Sequence, residues 1–144
     1  MDEKLEKKLV YFAEKYLGIS YEYGAKLYKR PKTFDCSSLV KFIYGKIGID
    51  LPRRSLEQAH CGKKVNSKSE LKIGDLIFFK GITGRYNREF PQGIGHIVMY
   101  IGDGKVIEAK SDKKKSGINI GKVRIISVKK ILKRKDFRII KRII

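Results

Sequence analysis

Three residues have the types and spacing for nucleophilic chemistry: Cys36, His96 and Glu108. A thiol that attacks a carbonyl needs an imidazole to take its proton and a third polar group to fix the ring's tautomer and orientation. Cys36 follows Asp35 where an apolar helix is expected to begin. Leu39, Ile43 and Ile47 recur there at four-residue spacing, beside Val40 and Phe42. Asp35 can cap that helix and Gly48 can end it in the left-handed conformation. A thiol in the first turn lies at the positive end of the helix macrodipole, where the thiolate is favoured.

The other two residues meet through a hairpin. Residues 96–101 and 105–109 read as strands around Gly102-Asp103-Gly104. A three-residue turn pairs Ile101 with Lys105, Tyr100 with Val106, Met99 with Ile107 and Val98 with Glu108. His96, two residues before Val98, then shares a face with Glu108, diagonally across the strands. A two- or four-residue turn would reverse that parity. Each residue also has a plainer use: Cys36 as core filler, His96 as a hydrogen-bonded strand end, Glu108 as a solvent-facing side chain. Their conjunction favours the site, since the chain has only two histidines. His60, beside Cys61 near a helix end, reads as a surface or C-capping residue.

Around these residues the chain divides into helices first and strands later. Residues 4–17 form an amphipathic helix with Leu5, Leu9, Phe12, Ala13, Tyr16 and Leu17 on one face and Gly18 at its end. Residues 25–33 are a polar loop. Residues 51–58 start a short helix that Ser55 can cap, and 61–71 read as connecting loop. The run 76–79 is a strand buried on both sides, 81–93 a loop, and 110–121 a polar stretch. Residues 123–128 and 137–144 are further strand candidates.

Composition limits the alternatives. A chain of 144 residues can bury a sizeable core without staples, and one domain over 1–144 is expected. Two cysteines without a CxxC or Cys/His cluster argue against structural zinc, so neither metal nor cofactor is expected. No apolar run is long enough to span a bilayer, and the start, acidic in character, lacks a signal-peptide core. The expected location is therefore the cytoplasm, or outside by a signal-independent route. The charge is extreme: 34 Lys plus Arg against 15 Asp plus Glu, or +19. Such a surface suits nucleic acid, anionic lipid or an acidic wall polymer, but its lysines are spread along every segment. No basic cluster interleaved with aromatics points to nucleic acid.

Four runs occur in order: DCSSLV at 35–40, LPRRSLEQ at 51–58, LKIGDLIFF at 71–79 and GHIVMYIGDG at 95–104. Together they resemble the NlpC/P60 family, papain-like cysteine peptidases that cleave peptidoglycan stem peptides. The resemblance runs from about Tyr21 to the C-terminus. It implies an α+β fold, with an antiparallel sheet packed on the helix that carries the cysteine. It also implies Cys36 as nucleophile, His96 as general base and Glu108 as the third member, commonly histidine in the family. Tyr21 matches the tyrosine that shapes the oxyanion site, with Tyr23 a competing choice. Asp35 and Ser37 match the residues that hold a substrate's free amino end in members cutting next to D-glutamate.

Two departures bear on the site. Ser38 stands where glycine is usual and is expected to crowd the backbone. Glu108 in place of histidine should favour an imidazolium at His96. The implied activity is hydrolysis of stem-peptide amide bonds; a monomer is expected, and the +19 charge suits anionic wall polymer as a further partner. The alternatives are a papain-like acyltransferase or amidase and a non-catalytic basic module that binds polyanions.

Overall fold

The N-terminal apolar stripe forms α1, Glu3–Lys15, in a computed structural model that describes residues 2–82 and 84–144. Asp2 caps it by accepting from the Leu5 amide at 2.8 Å. Leu9 and Ala13 are buried on its inner face. Leu17, expected on that face, lies past the helix end and is exposed.

The next helix, α2, spans Cys36–Gly45. Its last turn is closed across Gly48, at φ +84°, by the Ile49 amide donating to the Tyr44 carbonyl at 3.1 Å. That is the long bond of a glycine-stopped helix end, which a residue with a Cβ would strain. A third helix, α3, covers Ser55–Gln58, with Arg54 rather than Ser55 at the N-cap position and no side-chain cap. The interval expected as plain loop, 61–71, holds a two-residue strand β1, Lys63–Lys64, and a 3-10 turn at Lys68–Glu70.

Five more strands follow: β2, Leu76–Phe79; β3, His96–Gly102; β4, Lys105–Lys110; β5, Lys122–Ser127; and β6, Phe137–Arg142. The expected final strand thus ends two residues early. Between β5 and β6 a short helix α4, Val128–Leu132, takes up Val128, expected as strand. The six strands form one antiparallel sheet in the order β1-β6-β2-β3-β4-β5.

Both faces of this sheet are covered. Leu76 and Phe78 join Leu9, Leu39, Ile43, Met99 and Ile107 in the core under α1 and α2. Ile77 and Phe79 face the other way, with Val98, Val106, Val128, Ile131 and Ile140. This explains why β2 reads as a continuous apolar run instead of alternating.

The β3–β4 hairpin differs from the expected one at its tip and agrees with it at its base. Met99 faces Ile107 and Tyr100 faces Val106, but Gly102 faces Lys105, so the register shifts at Ile101. The turn is then Asp103-Gly104, both at positive φ of 51° and 70°, the two-residue form that matches strand twist. A two-residue turn alone would put Glu108 on the wrong face. The bulge at Ile101 adds one residue back and restores the parity.

Candidate active site

Asp35 organises the start of α2. Its Oδ1 accepts from the Ser38 amide at 2.8 Å, while the Ser38 hydroxyl accepts from the Asp35 amide at 2.9 Å. This reciprocal capping box is made by the residue expected to crowd the backbone. Ser38 is fully buried, and its hydroxyl and amide both take part in the cap.

The same carboxylate is clasped from outside α2. Arg53 donates from Nη1 to Oδ1 at 3.1 Å and from Nη2 to Oδ2 at 2.7 Å, and the Gly24 amide donates to Oδ2 at 3.0 Å. Arg53 also reaches the Ser37 hydroxyl at 2.9 Å. Asp35 and Ser37 are consequently buried, although both border the cleft described below.

Cys36, the first residue of α2, is half-buried, with its Sγ 4.0 Å from the Gly95 carbonyl. His96 follows directly at the start of β3. Its Nε2 lies 2.6 Å from Glu108 Oε2, leaving the other ring nitrogen for the thiol. Burial of the ring opposes its charged form. Hydrogen bonds with Cys36 and Glu108, and their negative charges, outweigh burial and push His96 up to about 9. Burial likewise opposes the Glu108 carboxylate, yet His96 and Arg124 hold it down to about 2. The charged forms of His96 and Glu108 thus support each other, with the sulfur on the far side of the ring.

Tyr21 is anchored by its amide donating to the Gly121 carbonyl at 2.8 Å and by a bridge to Phe34. Burial, then the charges of Cys36 and Asp35, push its phenol up to about 12. Tyr23 sits at the rim and is 67% exposed. Both border the cleft, but Tyr21 is the one packed near the sulfur.

An open cleft runs past Cys36. Tyr21, Asp35, Cys36 and Ser37 lie along it with Arg53, Arg54, Ser55 and Leu56, and Arg85, Ile94 and Gly95 complete the lining. The loop 81–93 reaches this cleft through Arg85, whose backbone pairs with Ile94 in both directions at 2.9 and 2.8 Å. Gly95 is required by a close approach: a Cβ there would meet the Lys80 carbonyl oxygen at 2.4 Å and the Gly84 Cα at 2.6 Å. His60 neither caps α3 nor faces the thiol. Its ring bonds Glu89 at 2.6 Å and Asn87 at 2.8 Å and packs on Phe90, tying down the far side of that loop.

Three contributors escaped the sequence reading. Arg53 belongs to a recognised run but was legible only as the approach to a helix. Arg124 is legible only through the β4–β5 register, which sets it opposite Glu108. Gly95 precedes the histidine without a local pattern that marks a backbone crossing. Among the described residues, no cluster of three or more His, Cys, Asp or Glu side chains could hold a metal ion, and no helix is long and apolar enough to cross a membrane.

The sequence matches the NlpC/P60 family over residues 18–134. A probable endopeptidase p60 of Listeria innocua is 36% identical over 104 residues, covering 72% of this chain and 20% of that protein. The bifunctional muramidase/DL-endopeptidase CwlT of Bacillus subtilis is 39% identical over 98 residues, covering 67% of this chain and 27% of CwlT. The solved peptidoglycan hydrolase RipB of Mycobacterium tuberculosis aligns with a TM-score of 0.72 and 26% identity, over 98% of this chain and 65% of RipB. The chain therefore spans 20% and 27% of the two curated relatives. Helices packed on one antiparallel sheet, with the cysteine opening α2, agree with the expected α+β papain-like architecture. By the extent of that match, the chain belongs to the NlpC/P60 family.

Proposed function

We propose that the protein is a cysteine peptidase that hydrolyses amide bonds in peptidoglycan stem peptides, next to D-glutamate, through Cys36, His96 and Glu108. The observation that carries this reading is the placing of His96 between the Cys36 thiol and the Glu108 carboxylate, beside an open cleft. A cationic ring beside the sulfur favours the thiolate, the form that attacks a carbonyl. A second support is that the relatives matched include a protein named as a DL-endopeptidase.

In the reaction, the Cys36 thiolate adds to the scissile carbonyl and a carbon–sulfur bond forms. The carbon–nitrogen bond then breaks as His96 gives its proton to the departing amine. Water, deprotonated by His96, attacks the thioester, and the acid product leaves with the thiol restored. Glu108 keeps the ring turned toward Cys36. The backbone amide of Cys36, at the free N-terminal turn of α2, and the Tyr21 hydroxyl stabilise the oxyanion. Asp35 and Ser37 are assigned to the substrate's free amino end. The +19 charge adds affinity for anionic wall polymer.

Incubation with defined muropeptides, followed by mass analysis of the fragments, tests the assignment. Cleavage next to D-glutamate by the wild type and none by Cys36→Ala is expected. Retained cleavage in the variant removes the proposal, and an adduct formed with an added amine acceptor would reassign the enzyme as an acyltransferase.

A further inference from the structure

We propose that Arg124 is a positioning residue of this site, fixing one oxygen of Glu108 so that the other is presented to His96. The inference rests on the proposed chemistry and extends it by one side chain. Arg124 lies on β5 directly opposite Glu108 on β4. Its Nε and Nη2 both donate to Glu108 Oε1, at 3.1 and 3.0 Å, while Oε2 takes His96 at 2.6 Å. Each carboxylate oxygen therefore has its own partner, and neighbouring strands form a row of His96, Glu108 and Arg124.

The geometry matters because Glu108 is 1% exposed. With no solvent to satisfy it, a carboxylate that lost Arg124 would either turn its idle oxygen toward His96 or take up a proton more readily. Both changes loosen the ring that Cys36 needs in place. The other charged groups around the row do not substitute for Arg124. Cys36 is an anion when ionised, and Arg134, which also acts on Glu108, is already paired with Asp136 at 2.7 Å. The Arg124 side chain is 43% exposed, so it can be replaced without opening the core.

Charge and fork geometry can be separated by substitution. Removing a cation raises the pH at which neighbouring acids ionise, whereas lysine keeps the charge and loses the two-donor grip. The full chain is compared as wild type, Arg124→Gln, Arg124→Ala and Arg124→Lys. Two readouts are taken: the pH dependence of Cys36 alkylation by iodoacetamide, and muropeptide turnover.

In the Gln and Ala variants the acid limb of alkylation should move up by about half a pH unit. Turnover should fall about tenfold in kcat with little change in KM, as for removal of an outer partner of a working histidine. In the Lys variant the limb should stay in place while kcat recovers only in part. Thermal unfolding identifies any variant that fails to fold, and the Gln and Lys forms then carry the comparison. Alkylation and turnover profiles that superpose on wild type in the Gln variant would overturn the proposal. The alkylation arm needs no substrate, so absence of turnover in the wild type would sink the proposed activity while leaving this inference to its own result.

Discussion

Arg53 and Asp35 form a two-pronged ion pair across 18 positions of sequence, with both terminal nitrogens of the guanidinium on both oxygens of the carboxylate. The pair fastens α3's approach to the first turn of α2, and so sets the direction in which Cys36 emerges. Asp35→Ala removes the helix cap, takes the carboxylate partner from Arg53, which keeps only the Ser37 hydroxyl and the Ala25 carbonyl, and leaves the Gly24 amide without its acceptor. It should cost about 2 to 4 kcal/mol, whereas Arg53→Ala should cost about 1 to 2 kcal/mol because Asp35 keeps its backbone donors. Denaturant unfolding of both variants measures this order, and a larger loss for Arg53→Ala would refute it.

Ser38→Gly restores the glycine expected at this position and should nevertheless weaken the fold. The serine hydroxyl accepts from the Asp35 amide inside a fully buried cap, and glycine supplies no replacement. Glycine also costs backbone entropy within a helix. The expected loss is about 1 to 2 kcal/mol in chemical unfolding. A stabilised variant would mean that the serine crowds the turn after all.

What could be read ahead of the structure was local. β2 announced itself because both of its faces are covered, and α2 because its stripe runs between Asp35 and Gly48. The His96–Glu108 pairing was legible from the hairpin, though for an incomplete reason: the shorter turn and the Ile101 bulge cancel in parity. The missed parts depend on distant partners. Two exposed lysines become β1 only because β6 lies beside them. Five residues are too few for α4 to show a period, and Arg124 finds Glu108 only after the polar stretch 110–121 has carried the chain back.

Stability should depend on pH in opposite directions on the two sides of neutrality. His96 rises on folding from 6.5 to about 9, so its contribution is complete below about 6.5 and is lost as pH climbs through 9. Glu108 falls from 4.5 to about 2, so its contribution is present above about 4.5 and is lost as pH drops toward 2. Because the two titrate as a coupled pair, the broad maximum between these limits belongs to both. Denaturant midpoints across pH should show it. In Glu108→Gln the decline should be shallower on both sides, with the remaining acid loss including Asp136, which Arg134 holds near 2. A variant curve parallel to wild type would detach the pair from stability.

Gly95→Ala tests how closely the loop must pass behind the histidine. The added methyl would lie 2.4 Å from the Lys80 carbonyl oxygen and 2.7 Å from the Gly84 nitrogen, both backbone atoms that no rotamer change can move. Either β3 or the base of the 81–93 loop must shift, at a cost of about 1 to 3 kcal/mol. Since His96 is the next residue and Cys36 Sγ faces the Gly95 carbonyl, turnover should fall by more than the stability loss explains at a temperature where the variant is fully folded. Unchanged kcat and unchanged unfolding together would show that the backbone yields without moving the histidine.

The two cysteines should separate cleanly by reactivity. Cys36 lies beside the His96 imidazolium and borders the open cleft. Cys61 has no such neighbour: burial, foremost, pushes its thiol up, Glu57 adds to that, and only Lys141 opposes it. Because the thiolate is the reacting form, substoichiometric iodoacetamide at mildly acidic pH should label Cys36 at least tenfold faster than Cys61. In His96→Ala that preference should largely vanish, because the ring that favours the thiolate is gone. Peptide mapping of the labelled protein gives both rates in one experiment. Equal labelling of the two cysteines in the wild type would remove the support that His96 is proposed to give the sulfur and, with it, Cys36 as the proposed nucleophile.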